Sequence, residues 1–406
     1  MQQSKEASAR IGWVCPYLPW PQNSGGRLRI HHLAGGLASD ELLLFAFPSP
    51  DDPDPRTVDQ DNRRFPWAAC RLFQADEQRQ NRELFTPASA TRTPRELNQA
   101  LAAAHAERPL DAVIIEHCYA AGGLTWPAGV PALLDEHNIE SDYHRQRAEQ
   151  ARSPRLAIEY LGWRRFERRV WQRVSGVAVV CEKDARAVAR VRRAPACIAE
   201  NAVDGRRYTF RPPSQRRGHQ ILLAGHLSYE PNVRAALYLA EQVLPRLARL
   251  VPEASLVLAG RCPMAAVRAL AGPRVKVLAD VESIESLYDA SAACALPITL
   301  GAGTSLKVLE VLQTGVPLVA TEFAVRGFGL RAGSHYLRAE NPEEFAHALA
   351  AVLRERARFD ELAQTGYAHS CALTWERSAE RFAAWVHTEI HQSRPRSTSS
   401  LTVTVR

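Results

Sequence analysis

Lysine is scarce in this chain of 406 residues, because only Lys5, Lys183, Lys276 and Lys307 are lysines among the 51 basic residues. Arginine therefore carries nearly all of the positive charge, and the formal net charge is +7. This modest excess favours an anionic substrate or an anionic surface, and it does not require nucleic acid as a partner. Because lysine is rare in this chain, a lysine directly behind a glycine-rich turn, Lys307, is a notable feature.

Long apolar runs and paired cysteines are also lacking. No segment approaches the roughly 20 apolar residues that cross a bilayer, and residues 1–10 have no apolar signal core. We therefore expect a cytoplasmic protein. The eight cysteines form no Cys-x-x-Cys pair, so neither a zinc site nor a disulfide framework is predicted. Two Asp-x-Asp pairs lie in a stretch rich in proline and aspartate, residues 48–64, which is typical of turns. We expect no metal and no other cofactor.

Short apolar strands alternate with helices in both halves of the chain, and no repeat has the length of a solenoid unit. This alternation is typical of parallel α/β sheets. We predict two doubly wound, Rossmann-like domains facing each other across a cleft, over residues 1–205 and 206–374. A helix over residues 375–392 follows, and residues 393–406 are predicted to be a disordered tail.

The most informative stretch is residues 294–321, which predicts a strand, a glycine turn, a helix and a second strand. The hydroxyl groups of Thr304 and Ser305 suit the N-cap of the helix. Gly315, with a proline two residues later, suits its end. The predicted helix therefore begins directly behind the glycine turn.

That turn predicts a phosphate-binding site. Gly301 and Gly303 permit a sharp turn, after which the free N–H groups and the positive dipole end of the helix can face an anion. Lys307 and Glu310 are three residues apart and can lean toward one ligand, which suits a nucleotide diphosphate with its ribose. The alternative is an ordinary βα turn, since the sequence is not a Walker A loop and matches a Rossmann fingerprint only weakly.

The N-terminal half contains a second glycine turn and a polar strand end. Gly25 and Gly26 follow the first strand, either as an anion site at a helix start or as a tight turn. His137 follows a buried strand, and the carboxyl ends of parallel strands lie in the ligand crevice of an open sheet. His137 is thus a candidate to touch the substrate, although it could also cap the next helix. Glu116 and His117, at another strand end, are weaker candidates.

Taken together, these segments resemble the retaining glycosyltransferases of family 4, which have the GT-B fold. The resemblance extends over nearly the whole chain. The matching segments are PQNSGGRLR at 21–29, LDEHNIES at 134–141, ENAVD at 200–204, PN at 231–232, GAGTSLKVLE at 301–310 and GVP at 315–317. It implies that the C-terminal domain holds a nucleotide-sugar donor, that the N-terminal domain holds the acceptor, and that the last helix crosses back to the first domain.

The resemblance also implies roles for individual residues. Glu310 would hydrogen-bond the donor ribose, and His137 would line the sugar site. Gly25 and Gly26 would approach the diphosphate or the reacting sugar. His137 and Lys307 are the candidate catalytic residues. The candidate donor-binding residues are Gly25, Gly26, Gly225, His226, Gly301, Gly303, Thr304, Ser305, Leu306 and Glu310.

Two positions depart from the family pattern. Ala302 stands eight residues before Glu310, where the family has the first glutamate of a pair. The basic residues that commonly clamp the diphosphate are missing around Gly225 and His226. We hypothesise that Lys307 takes over the clamp, as in a similar subgroup with a G-x-G-T-x-x-K-x-x-E motif.

A strongly basic helix is predicted from residue 155 to about residue 174, with an apolar stripe along one side. Arg164, Arg165, Arg168 and Arg169 form two pairs of adjacent cations within it. They either make up a solvated face or contact anionic lipid headgroups at the inner face of a membrane.

The expected activity is therefore the metal-independent transfer of a sugar from a UDP- or GDP-sugar, with retention of configuration, to a glycan or a lipid-linked acceptor. Two alternatives stay open. The first is a non-hydrolysing nucleotide-sugar epimerase, which would act on the donor alone. The second is a catalytically degenerate protein that binds a nucleotide or glycan without turnover.

Overall fold

The strand segments of the two halves pair into two separate parallel sheets. The computed structural model describes residues 8–47, 66–74, 87, 93–281 and 283–393. The first sheet contains β1 (Arg10–Cys15), β2 (Glu41–Ala46), β3 (Trp67–Leu72), β4 (Ala112–Glu116), β5 (Ala132–Glu136), β6 (Gly176–Val179) and β7 (Cys197–Ile198). The second contains β8 (Gln220–Ala224), β9 (Ser255–Gly260), β10 (Val275–Ala279), β11 (Ala293–Leu296), β12 (Leu318–Ala320) and β13 (Leu337–Arg338).

The strand orders are β3-β2-β1-β4-β5-β6-β7 and β10-β9-β8-β11-β12-β13. In each sheet the order reverses beside the first strand, β1 or β8, and such a reversal opens a crevice at the carboxyl ends of the strands. The two doubly wound sheets predicted from the alternation are therefore confirmed.

Helices cover the faces of both sheets. In the N-terminal half they are α1 (Gly25–Gly35), α2 (Arg95–Glu107), α3 (Glu140–Ala151), α4 (Pro154–Arg173) and α5 (Glu182–Ala189). In the C-terminal half they are α6 (Glu230–Tyr238), α7 (Leu244–Leu250), α8 (Ala265–Arg268), α9 (Glu285–Ala290), α10 (Leu306–Thr314), α11 (Pro342–Arg354), α12 (Asp360–Cys371) and α13 (Trp375–Ser393).

In the first sheet, β1, β2, β4, β5 and β6 are buried, as expected for a parallel sheet between helix layers. Most of the edge strand β3 is exposed. In β1, Trp13 and Cys15 pack into one hydrophobic cluster, whereas Val14 packs into the cluster on the opposite face. Leu43 and Leu44 of β2 divide in the same way. This alternation follows the two-residue period of a strand, which explains why the strand segments read as continuous apolar runs.

Helix α13 crosses back to the first sheet. Phe382, Val386 and Ile390 are buried in the same cluster as Trp13 of β1. The Ser378 hydroxyl donates to the Glu200 carbonyl at 2.7 Å. The predicted return helix is thereby confirmed, and its apolar side forms part of the core of the N-terminal domain.

The sequence after β8 favours one long helix that ends near Leu250, and the structure differs from this. The structure has α6 and α7 joined by a π-helical turn over Leu239–Val243. Pro245 lies in the first turn of α7, and because proline has no N–H to donate, a widened turn before it accommodates the missing hydrogen bond.

Some predictions fall outside what the structure describes. The two Asp-x-Asp pairs and residues 394–406 are outside the described residues. The domain limit between residues 205 and 206 falls in the connection from β7 to β8 and stays a prediction. Within the described part of the chain, no helix combines the length and the apolarity of a membrane span.

Candidate active site

Predicted site residues from both domains meet in the cleft between the sheets. A Cβ atom placed on Gly25, at the start of α1, would lie 3.1 Å from Leu306 Cδ1 at the start of α10. A Cβ atom on Gly303 would lie 2.5 Å from the His137 carbonyl oxygen. Because Gly303 also has a φ of 63°, both its conformation and its closeness to the other domain require glycine.

Hydrogen bonds connect the two domains across this cleft. Gln146 of α3 donates from Nε2 to the Gly301 carbonyl at 2.8 Å and accepts from the Gly301 N–H at 3.2 Å. Asn201 Nδ2 donates to Thr304 Oγ1 at 3.0 Å. The glycine turn before α10 is therefore held by side chains of the N-terminal domain, and the two domains are close together in this structure.

His137 lies against two buried carboxylates. Its Nε2 atom is 2.6 Å from Glu116 Oε2 and 3.4 Å from Asp135 Oδ2. Burial alone would lower the pKa of His137, but its hydrogen bonds to Asp135 and Glu116, together with their charges, raise the pKa to about 9. His137 is therefore an imidazolium at neutral pH.

The orientation of the His137 ring follows from these contacts. Because Nε2 faces the carboxylates, Nδ1 is on the opposite side, 3.3 Å from the position of a Cβ atom on Gly26. A Cβ atom there would also overlap the Tyr17 hydroxyl. The absence of a side chain at Gly26 thus lets the Tyr17 hydroxyl and His137 Nδ1 approach the start of α1.

A buried arginine neutralises part of this negative charge. Arg29 of α1 forms a two-pronged ion pair with Asp135, from Nε to Oδ2 at 2.8 Å and from Nη2 to Oδ1 at 2.6 Å. Burial would raise the pKa of Asp135, but the charge of Arg29 and the hydrogen bonds to His137 and Arg29 hold it well below its usual range. Glu116 accepts from Trp13 Nε1 at 2.5 Å, and burial raises its pKa.

His117 is neutral, whereas its neighbour His137 is positively charged. The two rings are 3.9 Å apart between centroids, and burial together with the positive charge of His137 lowers the pKa of His117 well below its ordinary value. The Tyr17 hydroxyl and His117 Nε2 share a hydrogen bond of 2.8 Å. A neutral His117 therefore packs beside a charged His137 and is hydrogen-bonded to Tyr17.

Lys307 supplies a second cation from the C-terminal domain. Its Nζ donates to Asn232 Oδ1 at 2.6 Å, and a Cβ atom on Gly225 would be 2.6 Å from Nζ. Burial lowers the pKa of Lys307 to about 8, although Glu310 opposes the shift. An ammonium group that has lost hydration in this way is stabilised by an anion brought next to it.

Glu310 lies one helical turn from Lys307 and borders a cavity of about 190 Å³ between the domains. It accepts from the Tyr288 hydroxyl at 3.0 Å, and burial raises its pKa. His32 of α1 and Trp375 of α13 line the same cavity, with their rings stacked at 4.8 Å. The cavity is thus formed jointly by α1, α10 and α13.

Two of the predicted donor-site residues differ in detail from expectation. Ser305 is the N-cap residue of α10, as predicted, but its hydroxyl makes no cap hydrogen bond. The Thr304 hydroxyl accepts from Asn201 Nδ2. His226 lies exposed in the turn after β8, where its Nδ1 shares a hydrogen bond with Ser228 at 2.9 Å. Its contact with a donor stays a prediction.

Sequence reasoning missed several supporting residues. Arg29, Asp135 and Tyr17 were not singled out, although all three surround His137 or its neighbour. Asp135 precedes His137 by two residues, and alternate residues of an extended chain point to the same side. That spacing was the available signal. Arg29 gave none, because its partner is 106 residues away.

Among the residues that the structure describes, two buried clusters hold atoms that could ligate a metal: Glu116 with Asp135 and His137, and Cys118 with Glu136 and Glu167. The first is already bound by Arg29 and Trp13 as described. In the second, Glu136 accepts from Trp171 at 2.8 Å, and burial raises its pKa to about 8. Proton uptake and hydrogen bonds thus account for both clusters, and the independence from metal stays a prediction.

Comparison with known proteins supports the same fold. Residues 24–202 match the family model described as "Glycosyl transferase 4-like domain", and residues 218–355 match "Glycosyl transferases group 1". The two matches together span more than three quarters of the chain. No sequence among the curated proteins matches the chain significantly.

Solved structures with similar architecture have low sequence identity. Sucrose-phosphate synthase from Thermosynechococcus elongatus superimposes with a TM-score of 0.68 at 16% identity, covering 95% of this chain and 100% of the other. HepE from Anabaena in complex with UDP-glucose gives a TM-score of 0.66 at 15% identity, covering 93% and 99%. These neighbours establish the GT-B fold, with its two Rossmann-like domains.

Proposed function

The chain belongs to the group 1 and 4-like glycosyltransferases, and from that premise we propose that it transfers a sugar from a UDP- or GDP-sugar to a glycan or lipid-linked acceptor, with retention of configuration. The observation that carries the proposal is the meeting of two cations, Lys307 and His137, with two glycine turns in one cleft. Each domain contributes one cation and one turn.

The donor diphosphate is proposed to lie between the first turn of α10 and Lys307. Cleaving a sugar–diphosphate bond develops negative charge on the leaving phosphate, and preorganised N–H groups stabilise such charge most strongly where water is excluded. Lys307, the Gly303 turn and the dipole of α10 all offer positive potential there. This arrangement requires no metal ion for charge neutralisation.

The sugar is proposed to lie beside the His137 Nδ1–H donor. His137 is positioned by Glu116 and Asp135, and it carries positive charge at neutral pH because those carboxylates raise its pKa to about 9. Both carboxylates are engaged behind the ring, so neither is aligned as a nucleophile for double displacement. This favours a route in which the leaving phosphate itself takes the acceptor proton on the same face of the sugar.

Glu310 is proposed to accept hydrogen bonds from the donor ribose, because it borders the cavity between the domains. Among the structural neighbours, the HepE structures hold UDP and UDP-glucose. UDP-sugars are accordingly the first donors to test.

The test is a donor and acceptor screen with the purified protein. Thermal shift with UDP, GDP and their sugar conjugates identifies the donor, because selective binding to the folded state raises Tm. Turnover is then followed with and without acceptors. Sugar transfer to an acceptor supports the proposal, whereas conversion of the donor alone to an epimer would replace it.

Ala302 favours a second candidate, a protein that binds a nucleotide-sugar without catalysis. The family glutamate that it replaces lies on the donor side of the cleft, and alanine offers no hydrogen-bond acceptor there. Tight nucleotide binding without turnover over a broad acceptor panel would select this candidate. Restored turnover in Ala302→Glu would show that the site is otherwise complete.

A further inference from the structure

The outer face of α4 combines exposed aliphatic side chains with a dense row of arginines. Ile158 is 57% exposed and Leu161 48% exposed. From Leu161 to Arg173 the exposed positions are one leucine, five arginines and one glutamine. The exposed acid before them, Glu159, lies 3.8 Å from Arg147 of α3. Glu167, the one carboxylate between Leu161 and Arg173, is completely buried. We call Ile158, Leu161, Arg164, Arg165, Arg168 and Arg169 the arginine face.

Three of these arginines keep their charge uncompensated within the described structure. Arg164, Arg165 and Arg168 make no ion pair or hydrogen bond with any residue that the structure describes. By contrast, Arg145 and Arg147 of the neighbouring α3 both pair with carboxylates. Adjacent like charges without partners repel one another, which costs stability unless an external anion balances them.

A cavity of about 390 Å³ opens between α4 and α5, next to this face. Its charged lining residues are six cations and two carboxylates, namely Arg145, Arg164, Arg168, Lys183, Arg186, Arg190, Asp142 and Asp184. Lys183 and Arg145 already pair with Asp142. The cavity is large enough for a phosphate group with its ester. Its wall also includes Ser141 from the first turn of α3, and Ser141 follows His137 by four residues in the sequence.

We propose that the arginine face binds an anionic phospholipid membrane, with a headgroup phosphate in the cavity between α4 and α5. The face runs along about 16 Å of helix, since each helical residue rises about 1.5 Å, so it can lie flat on a bilayer surface. Ile158 and Leu161 enter the headgroup region, and the arginines meet the phosphates.

This combination of side chains distinguishes a membrane from other polyanions. A nucleic acid would use the arginines but gain nothing from exposed Ile158 and Leu161. A membrane uses both, because aliphatic side chains gain free energy on entering the acyl boundary.

The experiment measures co-sedimentation of the full chain with vesicles of phosphatidylcholine, with and without phosphatidylglycerol. We expect binding only to the anionic vesicles, weakening as salt rises. Each basic residue near an anionic surface strengthens binding about fivefold, so R165Q/R168Q is expected to bind about 25-fold more weakly. Leu161→Asn is expected to weaken the binding that persists at high salt.

The matched control is R217Q/R249Q, which removes the same two charges from exposed sites of the C-terminal half. An equal loss in both double variants would reduce the effect to net charge and overturn the proposal. Wild-type protein that does not bind anionic vesicles would also overturn the proposal. Displacement from the vesicles by millimolar glycerol phosphate would overturn it too, because that result would assign the cavity to a soluble ligand. Tighter binding to DNA than to vesicles, lost in R165Q/R168Q, would assign the face to nucleic acid. Circular dichroism establishes that each variant is folded.

Discussion

Replacing Lys307 by methionine should stabilise the free protein and weaken nucleotide binding. Methionine keeps the length of the side chain and removes the charge. Burial lowers the pKa of Lys307 from 10.5 to about 8, which means that the folded protein holds this proton less tightly than the unfolded chain does. The charge therefore costs folding free energy at neutral pH, and an anionic ligand recovers that cost.

The magnitude follows from the shift. One pKa unit corresponds to about 1.4 kcal/mol, so the full shift would cost about 3 kcal/mol below pH 8. Because part of the Lys307 side chain still reaches the cleft, we expect about 1–2 kcal/mol. Between pH 8 and 10.5 the unfolded chain binds more protons than the folded protein, so wild-type stability should rise with pH in that window. The variant should lack this rise.

Binding has the opposite dependence on pH. A diphosphate beside Lys307 raises its pKa, so affinity for UDP or GDP should be full below pH 8 and fall as the pH rises above it. The variant should lose about 2–4 kcal/mol of transition-state stabilisation, as removal of one preorganised donor does. From pH 7 to 10, denaturant unfolding measures the folding stability and calorimetry measures the nucleotide affinity. The transition-state loss is measured as the change in kcat/KM. A variant that is destabilised, or that binds nucleotide as wild type does at pH 7, would refute the reasoning.

Three further predictions concern other parts of the molecule. Glu310→Ala should weaken UDP or GDP binding by about 1.5–3 kcal/mol if it accepts from the ribose; unchanged affinity by calorimetry would contradict this. Wild-type activity should fall as the pH rises through about 9, where His137 loses its proton. His137→Gln should lower turnover and should not show this fall. A variant with the same pH profile as wild type would remove His137 from the reaction. Phe382→Ala should cost about 3–5 kcal/mol in folding stability, because Phe382 is completely buried where α13 packs on the first sheet. Urea unfolding measures this loss. A loss below about 1 kcal/mol would mean that other contacts hold the return helix.

The sequence predicted those features that local pattern determines. The glycine turns and strand ends identified α10, Lys307 and His137, because chain direction and period fix where their backbones lie. Helix α11 begins at Pro342 behind the N-cap residue Asn341, and both residue types are typical of a helix start. The π-helical turn before Pro245 was missed, since the proline signals a break without specifying its geometry.

The charge states of the site could not be predicted from the sequence. They depend on partners that are distant in the chain, such as Arg29 with Asp135 and Gln146 with Gly301. Burial and the charged or hydrogen-bonding neighbours together decide the direction of each pKa shift, and neither exists before the chain has folded. A pattern therefore located the candidate residues, while the packed structure was needed to show which of them carry charge.

The two cations of the cleft are perturbed in opposite directions and reach nearly the same pKa. Carboxylates raise the pKa of His137 to about 9, whereas burial lowers that of Lys307 to about 8. Both are thus protonated at pH 7, and both lose their proton within about one pH unit of each other. A nucleotide-sugar with its diphosphate at Lys307 and its sugar at His137 would meet positive charges from two different domains, so its binding would also favour the closed arrangement. Loss of either proton should therefore weaken closure as well as binding, and nucleotide affinity should fall more steeply with pH than a single titrating group allows.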